Sequence, residues 1–216
     1  MSNKTYAVLG LGKFGMAVAR ELSDLDCDVI AVDMDEEIVK MMSREVDYAV
    51  AADVTDKNAM KEIGLADTDA VFISIAEDLE ASILAALIAK ELGVKQIIAK
   101  ASSYMHGKVL DKIGVTRVLY PEREMGRRMA RNIVAGNFLD MIDLSREYSL
   151  VEIKVPEKWI GETILGLNVR QKYGLNIVAM KRGEDIFVNI DPNKPFAEHD
   201  VLIVVGSNTA ISELGE

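Results

Sequence analysis

The stretch YAVLGLGKFGMAVARELSDLDCDVIAVD, residues 6–33, sets a glycine-rich turn between two apolar runs and closes on an acid. A run of strand-forming residues that ends in Gly-x-Gly-x-x-Gly and passes into helix formers fits a strand, a tight turn and a helix start. The acid at the end of the next run completes a βαβ unit of the kind that binds nucleotides. Each glycine has a separate duty in such a unit. Gly10 permits the tight turn, Gly12 lets a phosphate approach the backbone, and Gly15 lets helix and strand pack closely.

The same alternation continues downstream. YAVLGL, CDVIAVD, DYAVAAD, AVFISIA, QIIAKA and TRVLYP are nearly continuous apolar runs, as expected of parallel strands covered on both faces. Helical patterns lie between them at 15–22, 36–44, 56–63, 79–92 and 104–113, and three of these end at or beside Gly64, Gly93 and Gly114. The fold class expected is α/β, a Rossmann-like doubly wound parallel sheet with strand order 3-2-1-4-5-6, over residues 1–134. Pro121 suits the first turn of a further helix. After it, Met125, Met129, Ile133 and Val134 recur at helical spacing, and Phe138, Leu139, Met141, Ile142 and Leu144 crowd together after Gly136. That predicts a helix-break-helix, with 135–145 as a helical crossover able to pack on a second copy. From 146 to 216 short strands follow closely, with a tight link at Gly183-Glu184, as in a small α+β domain.

Of the 216 residues, 50% are hydrophobic, yet no run reaches the roughly 18 to 20 apolar residues of a spanning helix. The net charge of −10 repels polyanions, so neither nucleic acid nor acidic lipid is an expected partner. A lone Cys27 and an N-terminus without a basic or apolar leader fit a reducing, cytoplasmic setting, with the thiol expected to lie inert in the core.

The expected ligand pocket lies at the strand ends. Asp33 can accept both ribose hydroxyls of an adenosine, and Asp35 close by would set a second carboxylate against a 2′-phosphate, disfavouring NADP. Asp53, Val54 and Thr55 end the third run where an adenine would lie, although Asp53 also suits a turn or cap before TDKNAM. Ser74 and Ile75 end the fourth beside the phosphates. Lys13 stands with Phe14 inside the turn itself. A lysine there meets a β- or γ-phosphate and favours ATP or ADP, and a solvated lysine at a helix start is the bland alternative.

Catalytic residues are not apparent. His106 and His199 have no orienting partner in sequence and are expected at the surface, and there is no GxxxxGK[ST], HExxH, CxxC or GxSxG element. An NAD(H)-dependent oxidoreductase or NAD-sensing regulator keeps the support of the glycine turn and Asp33 alone.

The combination of GLGKFG, Asp33, AADVTD, KVLDKIGVTRVLYPEREMG and LNVRQKYGLNIVAMKRG resembles the RCK proteins, regulators of potassium conductance, and in particular the cytoplasmic subunits of Ktr/Trk-type bacterial potassium uptake systems. The resemblance spans essentially the whole chain. It implies a non-catalytic regulatory subunit that binds ATP or ADP, gates a membrane potassium-translocating partner from the cytoplasmic face, and forms homodimers that close into an octameric ring.

On this resemblance Lys13 takes a place commonly held by arginine, Lys100 matches a lysine near the ligand, and Asp53 falls on the adenine side. Glu122 matches a glutamate that meets the phosphates, or a cation such as Mg²⁺, from a neighbouring subunit; by itself it is an acid in a first helical turn. In the C-terminal part the resemblance implies cyclic di-AMP at a dimer interface. The matching residues are Ile164, Leu165, Asn168, Val169, Arg170, Leu175 and Asn176, with Pro192 beyond. Arg170 can pair with a phosphodiester and the aliphatics can cover adenine faces, and a domain core with a solvated arginine fits the same residues.

Overall fold

Six short strands, β1 (Thr5–Leu9), β2 (Asp28–Asp33), β3 (Tyr48–Ala51), β4 (Ala70–Ile73), β5 (Ile97–Lys100) and β6 (Arg117–Leu119), pair in parallel in the order β3-β2-β1-β4-β5-β6. This is the expected doubly wound order. The structure, a computed structural model, describes residues 4–134 and 138–214, and the chain divides into two compact units, Met1–Pro121 and Glu122–Glu216.

In the first unit, five helices connect the strands: α1 (Lys13–Asp24), α2 (Glu36–Met42), α3 (Lys57–Glu62), α4 (Leu79–Glu91) and α5 (Tyr104–Ile113). Successive residues of β1 point to opposite sides. Val8 joins Val29, Ala31, Ala19, Val39 and Met42 in one apolar cluster under α1 and α2. Ala7 and Leu9 join Val71, Ile73, Met60, Ala85 and Leu110 in another under α3, α4 and α5. Both faces are therefore covered, which is why the strand runs are apolar throughout rather than alternating.

The second unit opens with α6 (Pro121–Val134), whose first residue still belongs to the first unit, and continues as β7 (Phe138–Asp143), β8 (Tyr148–Lys154), α7 (Ile164–Leu167), α8 (Val169–Tyr173), β9 (Asn176–Arg182), β10 (Asp185–Phe187), β11 (Val201–Ser207) and α9 (Asn208–Leu214). Its sheet is antiparallel in the order β10-β9-β11-β8-β7. Trp159 is fully buried at its centre, stacked on Phe196 with Tyr173 meeting it edge to face. Gly183, at φ +63°, turns β9 into β10 as expected.

Three expectations are corrected. The second half of the helix-break-helix is β7: residues 138–143 pair with β8, and Ser145 Oγ accepts the N–H groups of Glu147 and Tyr148 in the link between them. Hydrophobic crowding in FLDMID carries a period of two as well as of 3.6, and pairing with β8 decides between them. The break itself, at 135–137, lies outside the described residues. His106 is not at the surface. It is 3% exposed, one turn from Leu110 on the inward side of α5, and the Ser102 N–H donates to its Nδ1 at 3.3 Å. Burial pushes its pKa below the ordinary 6.5. Cys27 is only half-buried, its thiol pointing at the Leu25 carbonyl.

Candidate nucleotide-binding site

The glycine turn has the geometry that its spacing implies. Gly10 lies at φ +90°, and a Cβ there would stand 2.7 Å from Ile75 Cγ1. A Cβ on Gly15 would stand 1.9 Å from the Gly10 carbonyl oxygen and 3.0 Å from Ser74 Oγ. Gly12, the N-cap of α1, has open space where a side chain would begin, so its backbone can be approached.

Beside this turn is a cleft of about 240 Å³ lined by Gly10, Asp33, Met34, Asp53, Val54, Ile75, Asp78 and Ala81. Five of these, Gly10, Asp33, Asp53, Val54 and Ile75, were expected from sequence. They come from the ends of β1, β2 and β4 and from the loop after β3, the side on which open α/β sheets bind ligands. Asp33 is held by two backbone donors, Leu11 N–H to Oδ2 at 2.6 Å and Asp35 N–H to Oδ1 at 3.0 Å. Asp53 Oδ1 accepts both the N–H and the hydroxyl of Thr55, at 2.8 and 2.7 Å. The Thr55 hydroxyl bond, with the backbone one, holds the Asp53 carboxyl below its usual range. Asp53 thus makes the turn and lines the cleft, which are the two roles its position allowed.

Asp35 does neither. Its side chain accepts from Glu37 N–H and Ile38 N–H as the N-cap of α2, and it is not among the cleft-lining residues. The second carboxylate expected beside Asp33 is therefore not Asp35. An aspartate immediately before a helical run fits a cap, and the capping bonds fix its side chain at α2.

Lys13 is exposed in the first turn of α1, which contains no acid. The helix dipole disfavours a cation at this end, so its position becomes favourable once an anion lies at the turn. Lys100 Nζ stands 5.7 Å from the centre of the Phe14 ring, joining the end of β5 to the same first turn of α1. Ser74 closes the floor beneath Gly15 rather than lining the cleft. Met34, Asp78 and Ala81 were missed. Met34 follows Asp33 directly, and Asp78 could have been found as the N-cap of α4, where its Oδ1 accepts Ala81 N–H at 2.9 Å.

In the second unit, Glu122 is exposed in the first turn of α6. Leu165 is exposed and Ile164 half-buried on α7, and the Leu165 N–H donates to the Pro192 carbonyl at 3.1 Å. Asn168, at φ +47°, joins α7 to α8, and Arg170 and Asn176 are exposed. Val169 and Leu175 are buried in the core around Trp159. Their side chains are not available to cover an adenine, because alternate positions of so short a helix and strand must fill their own core first.

Residues 6–121 match the TrkA-N domain and residues 149–216 the TrkA-C domain. The chain is 45% identical over 209 residues to Ktr system potassium uptake protein C of Bacillus subtilis (strain 168), covering 97% of this chain and 95% of that protein. It is 39% identical over 206 residues to Ktr system potassium uptake protein A of the same organism, covering 95% and 93%. Among solved structures, the GsuK channel bound to NAD superposes with a TM-score of 0.69 at 18% identity, over 100% of this chain and 40% of that one, so the chain spans less than half of the channel subunit. Matched by both domains and by near full-length relatives, the chain belongs to the TrkA-N/TrkA-C domain family, the RCK group that includes the Ktr system potassium uptake proteins.

Proposed function

We propose that this protein is a non-catalytic regulatory subunit that binds ATP or ADP in the first unit and gates a membrane potassium transporter. The observation that carries the ligand assignment is the pairing of an acid-lined nucleoside cleft with an open Gly12 backbone and an exposed Lys13 at the start of α1. The nucleoside occupies the cleft, and the phosphates leave it over the α1 N-terminus. Family membership supports the potassium system as the setting, and no described helix is long and apolar enough to cross a membrane, which supports peripheral attachment at the cytoplasmic face through the partner.

Assembly follows from α6. Met125, Met129 and Ile133, at 54%, 52% and 75% exposure, form an apolar stripe at helical spacing that a second copy would cover, as the first step toward an octameric ring. Glu122 bears on a divalent ion only in company. Among the described residues no group of three or more His, Cys, Asp or Glu could hold a metal, but one carboxylate with phosphate oxygens is a common way to bind Mg²⁺. In the second unit, Leu165, Ile164, Asn168, Arg170, Asn176 and Pro192 remain the candidates for cyclic di-AMP.

Calorimetric titration with ATP, ADP, NAD and NADH tests the central assignment. Tightest binding of ATP or ADP is expected. Tightest binding of NADH with turnover of any hydroxy acid would overturn it in favour of an oxidoreductase. Loss of cyclic di-AMP binding in Arg170→Ala, with ATP binding intact, is expected if the second ligand is held as proposed.

A further inference from the structure

The cleft carries three carboxylates, and each is oriented by at least one backbone donor. Asp33 is held by Leu11 and Asp35 N–H groups, Asp53 by Thr55, and Asp78 by Ala81 N–H. None can swing away without leaving a backbone donor unpaired, a loss that disfavours rotation. No lysine or arginine is among the lining residues, whose remaining members are Gly10, Met34, Val54, Ile75 and Ala81. Apolar walls with fixed acceptors at their rim suit a neutral group rich in donors, such as the hydroxyls and exocyclic amine of a nucleoside. An anion in the same space would meet three like charges along its lining.

Resting on the assignment of an adenine nucleotide to this cleft, we infer that Asp78 is a specificity-determining residue of the nucleoside end, excluding ligands with a phosphate on the ribose away from the 5′ position. The task expected of Asp35 falls to Asp78, because Asp35 caps α2 while Asp78 lines the cleft. Both are N-caps, so the same substitution can be made in each. Serine keeps a capping oxygen and removes the charge.

The test is calorimetric titration of wild type, Asp78→Ser and Asp35→Ser with ADP, AMP and adenosine 2′,5′-bisphosphate. The last two share a 5′-phosphate and differ only in the 2′-phosphate. Wild type should bind AMP more tightly than the bisphosphate. Asp78→Ser should narrow that ratio by about three- to tenfold, the effect of removing one unit charge several ångströms away in a partly solvated site. Asp35→Ser should narrow it less. An unchanged ratio in Asp78→Ser, or a larger change in Asp35→Ser, overturns the inference while ADP binding by wild type keeps the nucleotide site. Failure of wild type to bind ADP or AMP at all overturns both.

Discussion

The backbone N–H of Leu11 donates to Asp33 Oδ2 at 2.6 Å, which ties the middle of the glycine turn to the acid that ends the neighbouring strand. Asp33 therefore shapes the glycine turn as well as lining the cleft. Asp33→Ala should weaken every adenine nucleotide by about tenfold or more and lower the stability of the first unit by about 1 to 3 kcal/mol, since two backbone donors lose a charged acceptor. Calorimetry and denaturant unfolding check the two effects. Weaker binding without loss of stability would confine Asp33 to the ribose.

The γ-phosphate is the moiety that differs between ATP and ADP, and only contacts sensitive to it can bias two states. Lys13→Ala should cost about tenfold to a hundredfold in affinity, more for ATP than for ADP. Glu122→Gln should keep nucleotide binding in EDTA but lose the Mg²⁺-dependent gain in ATP affinity. Affinities of wild type and both variants, with Mg²⁺ and with EDTA, check this. Equal losses for both nucleotides and an unchanged Mg²⁺ gain would put the switch elsewhere.

Gly15 and Gly10 approach so closely that a Cβ on Gly15 would overlap the Gly10 carbonyl oxygen at 1.9 Å. The opposing atom is backbone and cannot rotate aside, so α1 would have to move off β1. Gly15→Ala should destabilise the first unit by about 1 to 3 kcal/mol or more and abolish nucleotide binding. Gly12→Ala, with open space at its Cβ, should leave stability nearly unchanged and weaken binding alone. Thermal unfolding of the two variants separates them.

The units should differ in their response to acid. His106 has a pKa depressed by burial below 6.5, so the unfolded chain takes up this proton more readily and the first unit loses stability as pH falls below about 6.5. In the second unit Asp200, 1% exposed, accepts from Arg182 Nε and Nη2, each at 2.6 Å. The Arg182 bonds, with help from the Ala197 N–H, hold its pKa below 3.8. That contribution is present above about pH 3.8 and is lost below it. Fluorescence of Trp159, the only tryptophan, follows the second unit, and far-ultraviolet circular dichroism follows both. His106→Gln should flatten the upper part of the profile, and Asp200→Asn the lower part.

The α6 stripe predicts its own disruption. Met125→Glu with Met129→Glu places two charges where a second copy would pack, and both side chains are exposed in the single chain, so folding should be retained. Light scattering should show smaller species than wild type at micromolar concentration. An unchanged mass would place the contact on another surface.

Residues 6–33 by themselves determined the strand-turn-helix, the tight turn at Gly10, the close approach at Gly15 and the place of Asp33, because glycine spacing and an acid at a strand end are local constraints. The parallel sheet followed from continuous apolar runs that need cover on both faces, and its strand order from six such runs with helical crossovers around the glycine turn. Tertiary structure alone decided the rest. FLDMID satisfies two periods, and it became a strand because β8 offered a partner. His106 reads as a polar surface residue, and α5 turned it inward. Asp33, Asp35, Asp53 and Asp78 look alike as residues near loops. Asp33, Asp53 and Asp78 line the cleft and Asp35 does not, although Asp35 and Asp78 are both helix N-caps. The local bonds of Asp35, Asp53 and Asp78 to donors two or three residues on are of one kind, so what separates them is where the sheet topology carries each loop, which no local pattern could have decided.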